Sequence, residues 1–185
     1  MARVLVPLAQ GCEELEAVTI IDLLRRAKIE VISAGLDAQP VTASRGTVLI
    51  PDQTLDQALQ QDYDMVVLPG GLPGADHLDN DPRIQALLKK MANSEKFTAA
   101  ICAAPKVLAS AGLLAGKRAT GFPGTLEKLQ LSDTTLEDRP VVQDGKVITS
   151  KGPGTAMDFA LTLIENLAGR DVRQQVESGL QRPGS

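Results

Sequence analysis

The run Phe97-Thr98-Ala99-Ala100-Ile101-Cys102-Ala103-Ala104-Pro105 places a cysteine where a small-residue apolar strand pattern gives way to a helical one. That position suits a nucleophile. The turn at the end of a central strand holds the sulfur out of the sheet, and the next helix presents free N–H groups and the positive end of its dipole. Both favour thiolate over thiol, so against an ordinary cysteine pKa of ~8.5 Cys102 is a candidate reactive thiolate with a depressed pKa. A cysteine in an apolar run is more commonly a small buried hydrophobe. Here Ala103 and Ala104 leave room for a substrate and Pro105 suits a first helical turn, which favours the reactive reading.

A second chemical cluster, Gly11-Cys12-Glu13-Glu14-Leu15-Glu16, sets three carboxylates at the start of a predicted helix. For Glu13 and Glu14 the simplest account is compensation of the helix dipole, worth a few tenths of a kcal/mol to ~1. Glu16 points elsewhere, toward the loops above the sheet. A carboxylate would repel a neighbouring thiolate, so Glu16 is useful there only if protonated, donating a hydrogen bond to sulfur and serving as general acid and base. Leu68-Pro69-Gly70-Gly71 closes another strand pattern. It reads either as a tight exit turn or as backbone N–H groups brought up to a substrate oxygen. Cys12 reads as a packed thiol, with a resolving or sensing thiol as the alternative. His77, the one histidine, reads as a solvated loop residue. Without Cys-x-x-Cys or His-Glu-x-x-His spacing, no metal site is expected.

The elements that must position these groups follow from periodicity. Arg3 to Leu8 reads as a strand, Glu14 to Arg26 as a helix with Leu15, Val18, Ile21 or Leu23, and Leu24 spaced for one face, and Ile29 to Ala34 as a second strand, a unit of βαβ length. Val41 to Ile50 alternates around a glycine turn like a hairpin. Met65 to Leu68 is a strand, Arg83 to Ala92 a helix, and the strand into Cys102 is followed by a helix from Pro105 to about Ala111. Val141 to Gln143 and Val147 to Ser150 flank Asp144-Gly145, a strong hairpin signal. Gly152-Pro153-Gly154 opens a helix through about Leu167, and Asp171 to Leu180 suggests a last, polar one. This order predicts one domain over residues 1–185, an α/β doubly wound sandwich with a mostly parallel central sheet. The composition agrees: 43% hydrophobic and only 2% aromatic requires a core of Val, Ile, Leu and Ala. A net charge of -4 with so few aromatics argues against a nucleic-acid surface. No apolar run reaches the roughly 18 residues of a membrane span. Met1-Ala2-Arg3 leading straight into a strand, with no secretory pattern, predicts a cytoplasmic protein. No phosphate loop follows the first strand, which argues against a flavin or nucleotide binder.

Four motifs in order along nearly the whole chain, Glu13-Glu14-Leu15-Glu16, Leu68-Pro69-Gly70-Gly71, Ala99-Ala100-Ile101-Cys102-Ala103-Ala104-Pro105 and Ser150-Lys151-Gly152-Pro153-Gly154-Thr155, resemble the ThiJ/PfpI superfamily. The resemblance is nearest to its branch of Parkinson-disease-type protein deglycases and bacterial ThiJ/YajL-like proteins. It implies a flavodoxin-like sandwich of the class I glutamine amidotransferase-like kind, a homodimer, and no cofactor. It also implies an oxidation-prone cysteine beside a protonated glutamate, at Cys102 and Glu16, and backbone donors at Gly70, Gly71 and Ala103. An anion site near the dimer interface falls on Arg26 and Arg45. The implied activity is that of a glyoxalase or protein deglycase, acting on methylglyoxal or early glycation adducts through a hemithioacetal on Cys102. The alternative is a redox-sensing chaperone. The protease-like and glyoxalase-like branches carry a histidine directly after the cysteine, where this chain has Ala103, and the eukaryotic deglycases carry one where Gly121 aligns. No Cys-His dyad is therefore expected.

Overall fold

A computed structural model describes residues 1–183. The chain opens with β1 (Arg3–Leu8), α1 (Glu14–Arg26) and β2 (Glu30–Gly35), the βαβ unit expected from the sequence. An excursion follows: β3 (Val41–Thr42), β4 (Val48–Leu49), β5 (Gln53–Thr54) and the single-turn α2 (Leu55–Ala58). Then come β6 (Met65–Leu68), α3 (Gly74–Asn80), α4 (Pro82–Asn93), β7 (Phe97–Ile101) and α5 (Pro105–Ser110). The last third holds β8 (Arg118–Ala119), β9 (Thr135–Leu136), the hairpin β10 (Val141–Asp144) and β11 (Val147–Ser150), and finally α6 (Ala156–Ala168) and α7 (Arg170–Leu180).

The central sheet runs β10-β11-β7-β6-β1-β2-β5, parallel throughout except for the β10–β11 hairpin. Its middle strands are buried on both faces, and for that reason they read as continuous apolar runs rather than alternating ones. Alternation appears instead in where the side chains go. Val4, Val6, Leu8, Val67, Ala99 and Ile101 pack with α1 and α6, whereas Leu5, Val66, Leu68 and Ala100 pack with the layer containing α4 and α5. The result is the flavodoxin-like arrangement of helices on both sides of a parallel sheet.

Local chemistry sets the helix starts. Glu13 caps α1, its carboxylate accepting from the Glu16 N–H at 2.8 Å, and Arg25 and Arg26 stand at the opposite dipole end. Asp81 caps α4 just before Pro82. One expectation needs correction. Residues 74–80 form α3 rather than a loop, so His77 sits on a helix, exposed as expected. The segment's glycine, two aspartates and asparagine hide it from propensity, and the burial of Ala75 and Leu78, with α3 packed on α5 and α4, outweighs that composition.

Candidate functional site

The candidate site is built where three chain segments meet above the carboxyl ends of β6 and β7. Cys102, the first residue past β7, has φ 65°, a left-handed backbone that a side-chain-bearing residue adopts at a cost of ~1–3 kcal/mol. Flanking bonds fix it there. Its N–H donates to the Ser150 carbonyl at 3.0 Å, and its own carbonyl accepts from the Phe122 N–H at 2.8 Å. The turn holds Cys102 8% exposed, with Ala103, Ala104 and Pro105 buried behind it.

Glu16 arrives from the first turn of α1 and is fully buried. Its Oε2 accepts from the Gly70 N–H at 2.8 Å, while Oε1 has no hydrogen-bond partner. Gly70 is the hinge between acid and thiol. A Cβ there would stand 2.6 Å from Cys102 Cβ, 2.8 Å from the Ile101 carbonyl oxygen and 2.9 Å from Glu16 Oε2, so only glycine fits. Gly71, at φ 88°, has the same constraint from the other side, because a Cβ would lie 2.4 Å from the Glu13 nitrogen. The paired glycines thus let the β6 exit turn pass between the cysteine and the start of α1.

Electrostatics couple the two groups. Burial pushes Glu16 up to about 7, against the lowering effects of the Gly70 N–H and of the Cys102 side chain. Cys102 is pushed up to about 12, first by burial, then by the charge and hydrogen bonding of Glu16, with the N–H groups of Gly71 and Ala103 pulling the other way. This corrects the expectation of a depressed thiol pKa. Helix α5 is only six residues long, and its terminus does not offset desolvation beside an ionised carboxylate. The direction depends on Glu16, however. Once the carboxyl is protonated, its charge no longer opposes the thiolate and its O–H becomes a donor, so one proton moving from sulfur to carboxylate would leave a thiolate beside a neutral acid at unchanged net charge.

Of the other residues singled out in the sequence, Gly71 and Ala103 direct their N–H groups toward Cys102, while the Gly70 N–H holds Glu16. Arg26 pairs with Asp22 at 2.9 Å on the exposed face of α1. Arg45 donates its backbone N–H to Glu14 Oε1 at 2.9 Å. Within this chain neither guanidinium is among the groups that act on Cys102. Cys12 is 1% exposed and pushed up to about 12 by burial and then by Glu14 and Glu13. His77 lines a separate hollow with Gln10 and Asp81. Among the described residues no group of three or more His, Cys, Asp or Glu side chains is placed to hold a metal.

Two contributions escaped the sequence reading. Glu14 does more than compensate a dipole: its carboxylate accepts from Ser44 Oγ at 3.1 Å and from the Arg45 and Thr47 N–H groups, tying the β3–β4 turn to α1. Burial alone would raise its carboxyl, but these bonds hold it below the ordinary range. The second is the Ser150 carbonyl beneath Cys102. Its only signal was membership of the Ser150–Thr155 motif, whose Ser150 Oγ and Thr155 Oγ1 lie 2.7 Å apart.

Comparison with known proteins decides the lineage. The model of the DJ-1/PfpI family matches residues 2–166. The chain belongs to the DJ-1/PfpI family. Protein dj-1beta of Drosophila melanogaster is 43% identical over 177 residues, covering 95% of each chain. The Arabidopsis thaliana DJ-1 homolog B is 46% identical over 181 residues, but this chain spans only 40% of that protein's length. A Caenorhabditis elegans DJ-1/PfpI relative named glutathione-independent glyoxalase DJR-1.2 is 37% identical over 168 residues, 91% of this chain and 89% of its own. Among solved structures, Drosophila DJ-1beta superposes with a TM-score of 0.91 over 97% of both chains at 43% identity. The oxidized DJ-1 of Toxoplasma gondii does so at 0.94 over 99% of this chain and 100% of its own, at 37% identity.

Proposed function

We propose that this DJ-1/PfpI protein is a cofactor-independent glyoxalase and deglycase in which Cys102 is the nucleophile and Glu16 the proton carrier. The supporting observation is the pair itself: a buried carboxyl near neutral pKa, one oxygen unpartnered, beside a cysteine held on a strained strand-end turn. The Cys102 sulfur adds to the aldehyde carbon of methylglyoxal. As the C–S bond forms, the carbonyl electron pair moves to oxygen, which takes the proton from Glu16 and gives a hemithioacetal. Glu16, now a carboxylate, removes the hydrogen from the former aldehyde carbon as a proton and returns it to the adjacent carbon, while the hydroxyl proton on the first carbon passes to the oxygen of the second, leaving a carbonyl on the first and an alcohol on the second. This turns hemithioacetal into lactoyl thioester by an internal redox shift. Water then cleaves the C–S bond and releases lactate and the thiol. With an early glycation adduct the first step instead displaces the amine, which leaves with a proton. The N–H groups of Gly71 and Ala103, which act on the Cys102 sulfur, are the donors this reading assigns to the oxygen as it acquires charge. Steady-state lactate formation from methylglyoxal tests the reading: it is expected in the wild type and lost in Cys102→Ser, and equal rates in both proteins would reject it.

The same two N–H groups support a second reading, a redox-sensing chaperone in which Cys102 is oxidised to sulfinate and held by protonated Glu16. A homodimer fits either role. Leu15 and Val18 of α1 and Val48 and Ile50 beside the Glu14-clamped turn expose 51%, 47%, 59% and 84% of their surface, an apolar face that a second copy would cover. In such a pair Arg26 and Arg45 are available as an anion site.

A further inference from the structure

Glu13 and Glu16 stand at the N-cap and N3 positions of α1, the spacing at which an N3 carboxyl ordinarily reaches back to the N-cap N–H to close a capping box. Here a third residue holds the box open. The Glu16 N–H donates to Glu13 Oε2 at 2.8 Å, as a cap requires, but the Glu13 N–H donates to the Gly70 carbonyl at 2.9 Å and the Gly70 N–H donates to Glu16 Oε2 at 2.8 Å. Three bonds thus run in a closed circuit through two segments of chain. The glycine pair makes the insertion feasible, since a Cβ on Gly71 would stand 2.4 Å from the Glu13 nitrogen. The Glu13 carbonyl accepts from the Ala17 N–H at 3.0 Å, so both of its backbone groups are committed. One oxygen of Glu16 is thereby fixed on the Gly70 N–H, and the other stays buried without a partner.

The residue type is unusual for its place. Ser, Thr, Asp and Asn are the favoured N-caps, and the first two cap without any charge. Glu13 sets a carboxylate beside a buried acid. Burial is the first cause of the raised Glu16 carboxyl, which the Gly70 N–H and the Cys102 side chain oppose, and Glu13 is the one charged residue that adds to the rise. The titratable neighbours are Cys102 from the turn after β7, Glu13 from the cap of α1, and Cys12 just before it, on which Glu16 acts. Neither α6 nor β1 nor β2, the elements packed on α1, supplies a charged group that acts on Glu16, and no cation does. Two carboxylates this close do not both ionise freely, and the proton goes to the one with less water around it. Glu13 is half-buried and Glu16 fully buried.

We propose that Glu13 is the positioning residue of the site: its cap and backbone seat the Glu16 carboxyl on the Gly70 N–H, and its unopposed negative charge keeps the proton on that carboxyl. This rests on the reading of Glu16 as proton carrier and adds the group that keeps it loaded. A neutral Glu16 is what a Cys102 thiolate needs beside it, because an ionised one opposes it.

The test separates a cap from a charge. In Cys102→Ser protein, where no coupled thiol titrates, NMR follows the side-chain carboxyl carbon of Glu16 from pH 4 to pH 9. Glu13→Gln keeps an acceptor oxygen and removes the charge, Glu13→Ser supplies a favoured neutral cap, and Glu13→Asp keeps both cap and charge. The Glu16 midpoint is expected to fall by about half a pH unit in the Gln and Ser variants, the scale of one carboxylate acting through partly solvated surroundings, and to stay within about 0.2 in the Asp variant. The Gly70 amide proton should move with the same midpoint in each, since it donates to that carboxyl. A residue that only caps predicts a Glu13→Ser protein that melts and titrates like its parent. An unchanged midpoint in both the Gln and the Ser variant overturns the proposal. With Cys102 intact, Glu13→Gln should be alkylated at that thiol about threefold faster than wild type at pH 6, which is half a unit expressed as a rate, and equally fast at pH 8.5. Equal rates at pH 6 count against it. A wild type that makes no lactate from methylglyoxal rejects the catalytic reading instead, and the carboxyl titration still reports on Glu13.

Discussion

Cys12 and Cys102 are the chain's two thiols, both buried, both following strands of the same sheet, and both pushed up to about 12. By burial and pKa alone they are alike. They differ in what a proton transfer would change. Around Cys12 the opposing charges are Glu14, Glu13 and, least, Glu16; Glu14 is held below the ordinary carboxylate range by the hydrogen bonds of the β3–β4 turn and Glu13 caps α1. Around Cys102 the opposing charge is Glu16, buried, with its own pKa near neutrality and one oxygen unsatisfied. Cys12 stands nearest a helix cap and a turn anchor, Glu13 and Glu14, whereas Cys102 sits directly beside Glu16, a buried carboxylate that is able to neutralise itself. A raised pKa thus marks an inert cysteine in one case and half of a proton-sharing pair in the other.

The largest expected effect follows directly. Iodoacetamide mass mapping at pH 7.5 should show Cys102 alkylated at least about 100-fold faster than Cys12, since reaction at either needs thiolate and only Cys102 reaches it without creating a new buried charge. Rates within threefold of each other would erase the distinction.

How far this was legible in the sequence depends on the kind of interaction. The strand–helix order was readable because β1, β6 and β7 are largely apolar runs, broken only at Arg3 and Thr98, and α1 has apolar residues at helical spacing; which face they bury was not, since Leu15 and Val18 are exposed and the buried positions are Glu16, Ala17, Ile20, Leu23 and Leu24. Cys102 and Glu16 were readable as chemistry, the first from its place at a strand end and the second from its helix face. The sign of the Cys102 shift was not, because desolvation arises from three segments packing together and no local pattern encodes it. Nor was the division of work between Gly70 and Gly71. Adjacent and identical in type, they differ only in which N–H the fold turns toward Glu16.

Gly70→Ala addresses the wall between acid and thiol. Its new methyl would overlap Cys102 Cβ and Glu16 Oε2, and overpacking of this kind costs ~1–3 kcal/mol. Thermal melts should show that loss together with at least a tenfold drop in the Cys102 alkylation rate, while the Cys12 rate stays the same. If both thiols slow in parallel, the glycine serves the fold in general rather than the pair.

Glu16→Gln removes the switch and keeps the shape. In the wild type the Cys102 alkylation rate should rise through an inflection near pH 7, where the pair loses its first proton, and the variant should lose that inflection. Stability gives an independent sign. The Glu16 carboxyl is raised from 4.5 to about 7, so between those values the folded state holds more protons than the unfolded one and stability falls as pH rises. The full penalty, roughly 3 kcal/mol at 1.36 kcal/mol per unit, is reached above pH 7 and absent below about 4.5. Denaturant titrations should therefore find Glu16→Gln gaining on wild type by up to that amount at pH 8 and by almost nothing at pH 4.5. A variant that gains equally at both values would mean that the carboxyl is not carrying a buried charge.

The smallest effect belongs to the other thiol. Cys12 packs in the core cluster that also contains Leu8, Val41 and Ala43, so Cys12→Ala should cost about 1–2 kcal/mol through lost contact and a small void. It should leave lactate formation and Cys102 alkylation within twofold of wild type, because burial and the nearby carboxylates push Cys12 up to about 12 and keep it a packed thiol at neutral pH. Peroxide sharpens the test. A packed thiol takes no part in resolving an oxidised Cys102, so intact mass should show the same sulfinate gain in Cys12→Ala as in wild type. A wild-type product lighter by two hydrogens, absent from Cys12→Ala, would reveal an internal disulfide and make Cys12 a resolving partner. The comparison between the two cysteines would then be one of donor and acceptor rather than of live and inert thiols.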